Sequence, residues 1–344
     1  MPRIDLQTST GSESFAYTIS TPTQDCAESI EQGVPTILLI HPSYTLSAIF
    51  HPMFEDPRLR RFNLVAMDLR GHGGTTAKVE DTFTTEIAAE DFLALLDALE
   101  ISACHVAGVS FGASIALEMA IIAAEKVLSL FMLSPPPFVE PAGTLEGRKE
   151  IFECWKEGLL NSDNVAFEDA LVGGIQLAYN GTETPFSKAL GGVILDSTTR
   201  IWAKDHLDIM YTVTVRYLEN QAPQDASALA RVRCPVLLLH CSADLAYTLE
   251  SAEELLSTLR AANVDAKLDV LEGAPHMGNV THPTQVNVFL YDFISAHCPV
   301  SSLPQAPTSV QSPFLEELTA FGLLEDEDAE MENSIQTSLS LSRV

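Results

Sequence analysis

The stretch Gly108-Val109-Ser110-Phe111-Gly112 places a serine midway between two glycines, each two positions away. It follows a short apolar run, His105-Val106-Ala107, and opens a helical pattern from Ala113 to Ala124. A strand that turns sharply into a helix strains the serine backbone and projects its Oγ from the strand end. The flanking glycines let strand and helix approach without Cβ clashes. An alkoxide is a poor species at neutral pH, so Ser110 needs a base, and the base needs an orienting carboxylate.

Both partners can be found downstream, in the order serine, acid, histidine. The apolar run Val236–Leu239 leads into His240-Cys241-Ser242-Ala243-Asp244, and Lys267–Leu271 leads into Glu272-Gly273-Ala274-Pro275-His276-Met277-Gly278. Each presents its polar residue just past a strand, at the sheet edge where Ser110 lies. His282 is the nearest rival base, and Glu140, the first carboxylate after Leu128–Leu133, is the rival acid. Asp244 and His276 fit better.

A tetrahedral intermediate also needs two amide donors. One is the N–H of Phe111. The other comes from His41-Pro42-Ser43-Tyr44, which follows the run Thr36–Ile40; proline has no N–H, so Ser43 is the donor expected. Tyr44, His41, Tyr247, Met277 and Trp202 are the expected substrate-binding residues. Phe138, Trp155, Phe167, Phe186 and Tyr211 are further wall candidates, and Arg148, Arg200 or Arg216 could bring positive charge into the cleft.

These residues need a scaffold that brings them to one rim. Arg3–Thr8 and Ser14–Ser20 alternate polar and apolar residues, as antiparallel edge strands do. Thr36–Ile40, Leu64–Met67, His105–Ala107, Leu128–Leu133, Val236–Leu239 and Lys267–Leu271 are short and apolar, the pattern of parallel strands buried on both faces. Helical patterns at Thr85–Leu99, Ala113–Ala124, Leu249–Ala261 and Thr284–Ala296 alternate with them. The reading is an α/β fold: a doubly wound, mostly parallel eight-stranded sheet with a helical cap insertion. Residues 1–137 and 231–298 form the core and 138–230 the cap. Residues 299–344 form an acidic, largely disordered tail, although Phe314, Leu315, Leu318 and Phe321 share one face of a possible short helix.

Composition narrows the function. Among 344 residues, 19 Lys+Arg face 47 Asp+Glu, a formal net charge of −28 that repels nucleic-acid backbones and anionic lipid. The six cysteines lack paired metal-type spacing, and no apolar leader opens the chain, so a soluble cytoplasmic protein is expected. No metal or cofactor is expected; Gly71-His72-Gly73 is followed by Thr76 where a dinucleotide fingerprint needs a third glycine.

With Asp68-Leu69-Arg70-Gly71-His72-Gly73 added to the Ser110 stretch, Asp244 and His276, the sequence resembles the α/β-hydrolase superfamily from about Thr36 to Cys298. It is most similar to the enol-lactonase-type and fungal toxin-pathway serine hydrolases, through His41-Pro42-Ser43-Tyr44 and Pro57-Arg58-Leu59-Arg60-Arg61-Phe62-Asn63-Leu64. The resemblance implies the α/β-hydrolase fold and makes Asp68–Gly73 a structural turn. It departs at Pro42, where relatives usually carry glycine, and at Cys241, again glycine in relatives. Serine at the turn argues against epoxide hydrolase or dehalogenase chemistry. The expected activity is hydrolysis of a small lipophilic ester or lactone by a monomer or homodimer. Carbon–carbon hydrolysis or acyl transfer in secondary metabolism, and a non-catalytic small-molecule binder, are the alternatives.

Overall fold

Branched apolar residues set the strands. The computed structural model describes residues 1–221, 224–298 and 303–323. Its strands are β1 (Arg3–Thr8), β2 (Gly11–Ser20), β3 (Thr36–Ile40), β4 (Asn63–Met67), β5 (Cys104–Val109), β6 (Val127–Leu133), β7 (Val236–Cys241) and β8 (Ala266–Leu271). They form one eight-stranded sheet in the order β1-β2-β4-β3-β5-β6-β7-β8. β1 and β2 pair antiparallel and β2 joins β4 antiparallel, while every later pairing is parallel. Strands β3, β4 and β5 are buried at every position, as parallel strands covered on both faces must be. β8 differs from the expectation of full burial. It is the sheet edge, and Lys267 and Asp269 alternate outward to water.

The longer helices are α1 (Thr85–Ala98), α2 (Phe111–Ile122), α3 (Ala142–Asn161), α4 (Asn164–Tyr179), α5 (Pro185–Ile201), α6 (Leu249–Ala261) and α7 (Pro283–Ala296); a shorter α8 spans Leu315–Ala320. Side-chain caps fix several starts. Thr84 accepts from the Ile87 N–H before α1, and Thr184 and Ser187 cap each other's backbone before α5. Helices α3, α4 and α5 belong to the insertion between β6 and β7. Apolar clusters fill both faces of the sheet. One holds α1 and α2 residues such as Phe92 and Ile115; the other holds α7 residues such as Leu290.

The segment after Cys298 departs from the expected solvated tail. Residues 303–323 pack on the body of the protein, and α8 lies against α5. Phe314 and Leu318 are buried in the second core, where the Phe314 ring meets Phe54 edge-on at 5.3 Å. Arg60, fully buried, donates to the carbonyl of Gln311, and Arg61 donates to that of Pro304. Phe321 occupies the space beside Gly192 of α5, where a Cβ would lie 2.5 Å from its ring. The apolar face of this helix thus finds its partner within the same chain. The acidic stretch 324–344 lies outside the described residues.

Replacing Phe314 with alanine removes a buried ring that ties the last helix to the core. Urea unfolding should show stability lower by about 3–5 kcal/mol; an unchanged midpoint would mean that the C-terminal segment does not dock in solution.

Candidate active site

Two close backbone approaches build the turn that carries Ser110. A Cβ on Gly108 would lie 2.2 Å from the Gly112 carbonyl oxygen, and one on Gly112 would lie 2.1 Å from that of Ile40. No side chain fits at either place. Ser110, between β5 and α2, has φ 50° and ψ −118°, and its N–H donates to the Leu133 carbonyl at 2.9 Å. Phe111 is the first residue of α2, so its N–H points out of the helix start without an intrahelical acceptor.

The loops after β7 and β8 meet through their polar side chains. His276 Nδ1 donates to Asp244 Oδ2 at 2.6 Å, both side chains being buried. The other Asp244 oxygen accepts from the N–H groups of Ala246 at 2.7 Å and Tyr247 at 3.1 Å. Three fixed hydrogen bonds therefore hold the carboxylate, and the carboxylate fixes the imidazole through Nδ1. Ser134, at the end of β6 with φ 46°, donates its Oγ to the His276 carbonyl at 2.7 Å. The insertion joins in: the Met277 N–H donates to the Ala178 carbonyl of α4 at 2.9 Å. Neither Ser134 nor Ala178 carries a sequence signal for this role, because each meets its partner across a long stretch of chain, Ser134 through its hydroxyl and Ala178 through its carbonyl.

Ser110 and His276 line one cavity of about 440 Å³, together with Ser43, Tyr44, Arg148 and Met277. Its roof is the insertion, with Trp155 of α3, Ile175 of α4 and Leu195 of α5 among the walls, and Trp202 follows α5. Of the expected substrate-binding residues, Tyr44, Met277 and Trp202 line it; His41 and Tyr247 do not. Phe138 lines a separate cavity, and Phe167, Phe186 and Tyr211 stay outside the main one. Among the three arginines considered, only Arg148 reaches it; Arg200 and Arg216 pair with Asp196 and Asp81 instead.

His41 has a structural task beneath the Ser43 loop. Its Nε2 accepts from the Leu69 N–H at 2.9 Å, so the proton sits on Nδ1 and goes to the Pro42 carbonyl at 2.8 Å. His72 repeats the arrangement, accepting from the Tyr44 N–H at 3.3 Å and donating to the Arg70 carbonyl at 2.9 Å. Tyr44 takes φ 65°, and among the described residues the Ser43 N–H makes no hydrogen bond to a backbone carbonyl. Proline at position 42 costs nothing here, since its carbonyl is the atom used. Asp68 accepts from the N–H groups of Ser47 and Gly74, each at 2.8 Å, and Gly73 leaves room for its carboxylate. The Asp68–Gly73 stretch is a structural turn.

Glu140, the rival acid, pairs elsewhere. Arg148 donates Nε to Glu140 Oε1 at 3.0 Å, and the Tyr247 hydroxyl donates to Glu140 Oε2 at 2.9 Å. Burial opposes the Arg148 charge, but Tyr247, Tyr217 and Glu140 around it outweigh burial and keep the guanidinium firmly protonated.

A serine held on a strained strand-to-helix turn, with a carboxylate-bound histidine opening on the same cavity, is an arrangement suited to nucleophilic chemistry on an eight-stranded α/β scaffold. Residues 37–288 match the alpha/beta hydrolase family, and the chain belongs to that family. It is 25% identical over 241 residues to a protein of Pseudomonas savastanoi pv. phaseolicola named as a carbamate hydrolase, RutD, covering 69% of this chain and 85% of that one. Among solved structures it is similar to the enol-lactonase of Burkholderia xenovorans, with TM-score 0.66, 17% identity, and 86% and 100% of the two chains covered. A thermophilic esterase from Thermogutta terrifontis gives TM-score 0.65, 17% identity, and 86% and 99% coverage. No described helix is long and apolar enough to cross a membrane.

The buried histidines give a test in solution. Burial lowers His41 to about 4 and His72 to about 3, the nearby His41 adding to the effect on His72, and burial lowers His105 to about 4. The unfolded chain takes up these protons near pH 6.5, so each site's stabilisation is complete above that pH and is lost as pH falls toward the folded value. The unfolding free energy from urea titrations should drop between pH 7 and pH 5, with a slope approaching about 1.4 kcal/mol per pH unit for each histidine. Constant stability across that window would show that these rings are not held neutral in the fold.

Proposed function

We propose that this protein is a serine hydrolase that cleaves a small, neutral, lipophilic carboxylic ester or lactone through an acyl-enzyme. The observation that carries the reading is the pairing of His276 with Asp244 at 2.6 Å, in a cavity that Ser110 also lines. Ser110 Oγ attacks the carbonyl carbon while its proton passes to His276 Nε2. Asp244 keeps the ring oriented and stabilises the imidazolium. The developing oxyanion lies against the N–H groups of Phe111 and Ser43. Collapse breaks the carbon–oxygen bond, and His276 returns the proton to the leaving alkoxide. Water then attacks the acyl group with His276 again as base, and release of the acid restores Ser110.

Charge bookkeeping favours a neutral substrate. Arg148 at the cavity wall is matched by Glu140, and Lys188 at the wall is matched by Glu183 at 2.8 Å. The remaining walls are mostly apolar, and about 440 Å³ accommodates a small molecule rather than a folded peptide segment. Helices α3 to α5 serve as the cap of this site. The names of the relatives, esterase, enol-lactonase and carbamate hydrolase, share carbonyl hydrolysis and support the reaction class. Six free thiols support a reducing, cytoplasmic setting.

Ser110→Ala should lower kcat/KM by about six orders of magnitude on whichever member of an ester and lactone panel the wild type turns over fastest, with KM little changed. Wild-type rates from that variant would rule out the covalent route.

A further inference from the structure

A buried polar bridge runs from the insertion to both halves of the proposed machinery. Arg148 lies on α3, is 2% exposed, and has three protein acceptors. Nε is bound to Glu140 at 3.0 Å, Nη1 donates to Ser43 Oγ at 3.3 Å, and Nη2 donates to the Tyr247 hydroxyl at 3.3 Å. Its guanidinium also sits over the Tyr44 ring, 5.7 Å from the centroid. Tyr247 in turn gives its backbone N–H to Asp244 and sets its ring edge-on to His276 at 5.3 Å.

We infer that Arg148 is a positioning residue that fixes the Ser43 half of the oxyanion hole from the insertion side, an inference that rests on the serine-hydrolase reading. Several contacts support this over simple packing. From below, the His41 and His72 rings hold the backbone on either side of Ser43, through Pro42 and Tyr44. From above, Arg148 holds Ser43 itself. The Ser43 N–H must point at a developing charge, and a small rotation of this loop would misdirect it. Glu140 cancels the charge of Arg148, so the residue supplies geometry rather than a field that attracts anions. The planar guanidinium reaches three acceptors in separate directions, which a lysine ammonium on its thin stem cannot match. The Ser43 side of the oxyanion hole is therefore supported by a contact from α3, so the insertion takes part in positioning the chemistry.

The test compares wild type, Arg148→Lys, the charge-neutral pair Arg148→Met with Glu140→Gln, and Ser110→Ala on one neutral ester. Thermal unfolding is used to confirm that each variant is folded at the assay temperature. The expected result is a kcat lower by about 30- to 300-fold in both Arg148 variants, with KM within about threefold of wild type. Labelling of Ser110 by a fluorophosphonate should slow in parallel, because that reaction also builds negative charge on an oxygen in the hole. A rise confined to KM would overturn the inference and make Arg148 a substrate contact. Folded variants with wild-type kcat would also overturn it. Activity retained by Ser110→Ala would instead sink the serine-hydrolase reading, so the two failures are told apart.

Discussion

The site depends on one steric constraint: the backbone of β5, the start of α2 and the end of β3 approach more closely than any Cβ permits. Glycine at 108 and 112 is the condition for that approach, with carbonyl oxygens 2.2 and 2.1 Å from where side chains would begin. Ser110 is then forced to φ 50°, a conformation L-residues rarely hold without support. The support is the sheet itself, since the Ser110 N–H is tied to Leu133 of the neighbouring strand. Strain at one residue is offset by the fully buried apolar strands at the centre of the sheet.

The same logic places the other groups. Parallel strands deliver their carboxyl ends to one rim, so β7 and β8 bring Asp244 and His276 together from positions 32 residues apart. The rim is stabilised from several directions. Ser134 holds the His276 carbonyl, α4 holds the Met277 N–H, and two neutral histidines hold the loop around Ser43. Charge is used sparingly: the protein carries −28 overall, yet the charged groups at the cavity wall are paired with opposite partners.

Much of this was legible in the sequence because the decisive signals are local. Gly108-Val109-Ser110-Phe111-Gly112 carries its own turn chemistry, and short apolar runs separated by helical periods identify the parallel sheet. Misreadings arose where a residue's role depends on a distant neighbour. His41 looks like a pocket residue until Leu69 occupies its Nε2. Tyr247 follows Asp244 closely but turns its hydroxyl to Glu140, 107 residues away. The apolar face of Phe314 and Leu318 shows in the sequence, but the bed it packs on does not, because residues such as Phe54 lie far earlier in the chain. β8 reads as buried from its valine and leucines, and only the strand order reveals an edge.

The proposed function turns on covalent acylation of Ser110 during turnover. The most direct measurement is mass spectrometry of peptides from enzyme mixed with a slowly deacylating aryl ester and quenched in acid during the first turnovers. The acyl mass is expected on the peptide that contains Ser110, forming at the same rate as the burst of released phenol. A burst of phenol with Ser110 unmodified, or with the acyl group on another side chain, would contradict it.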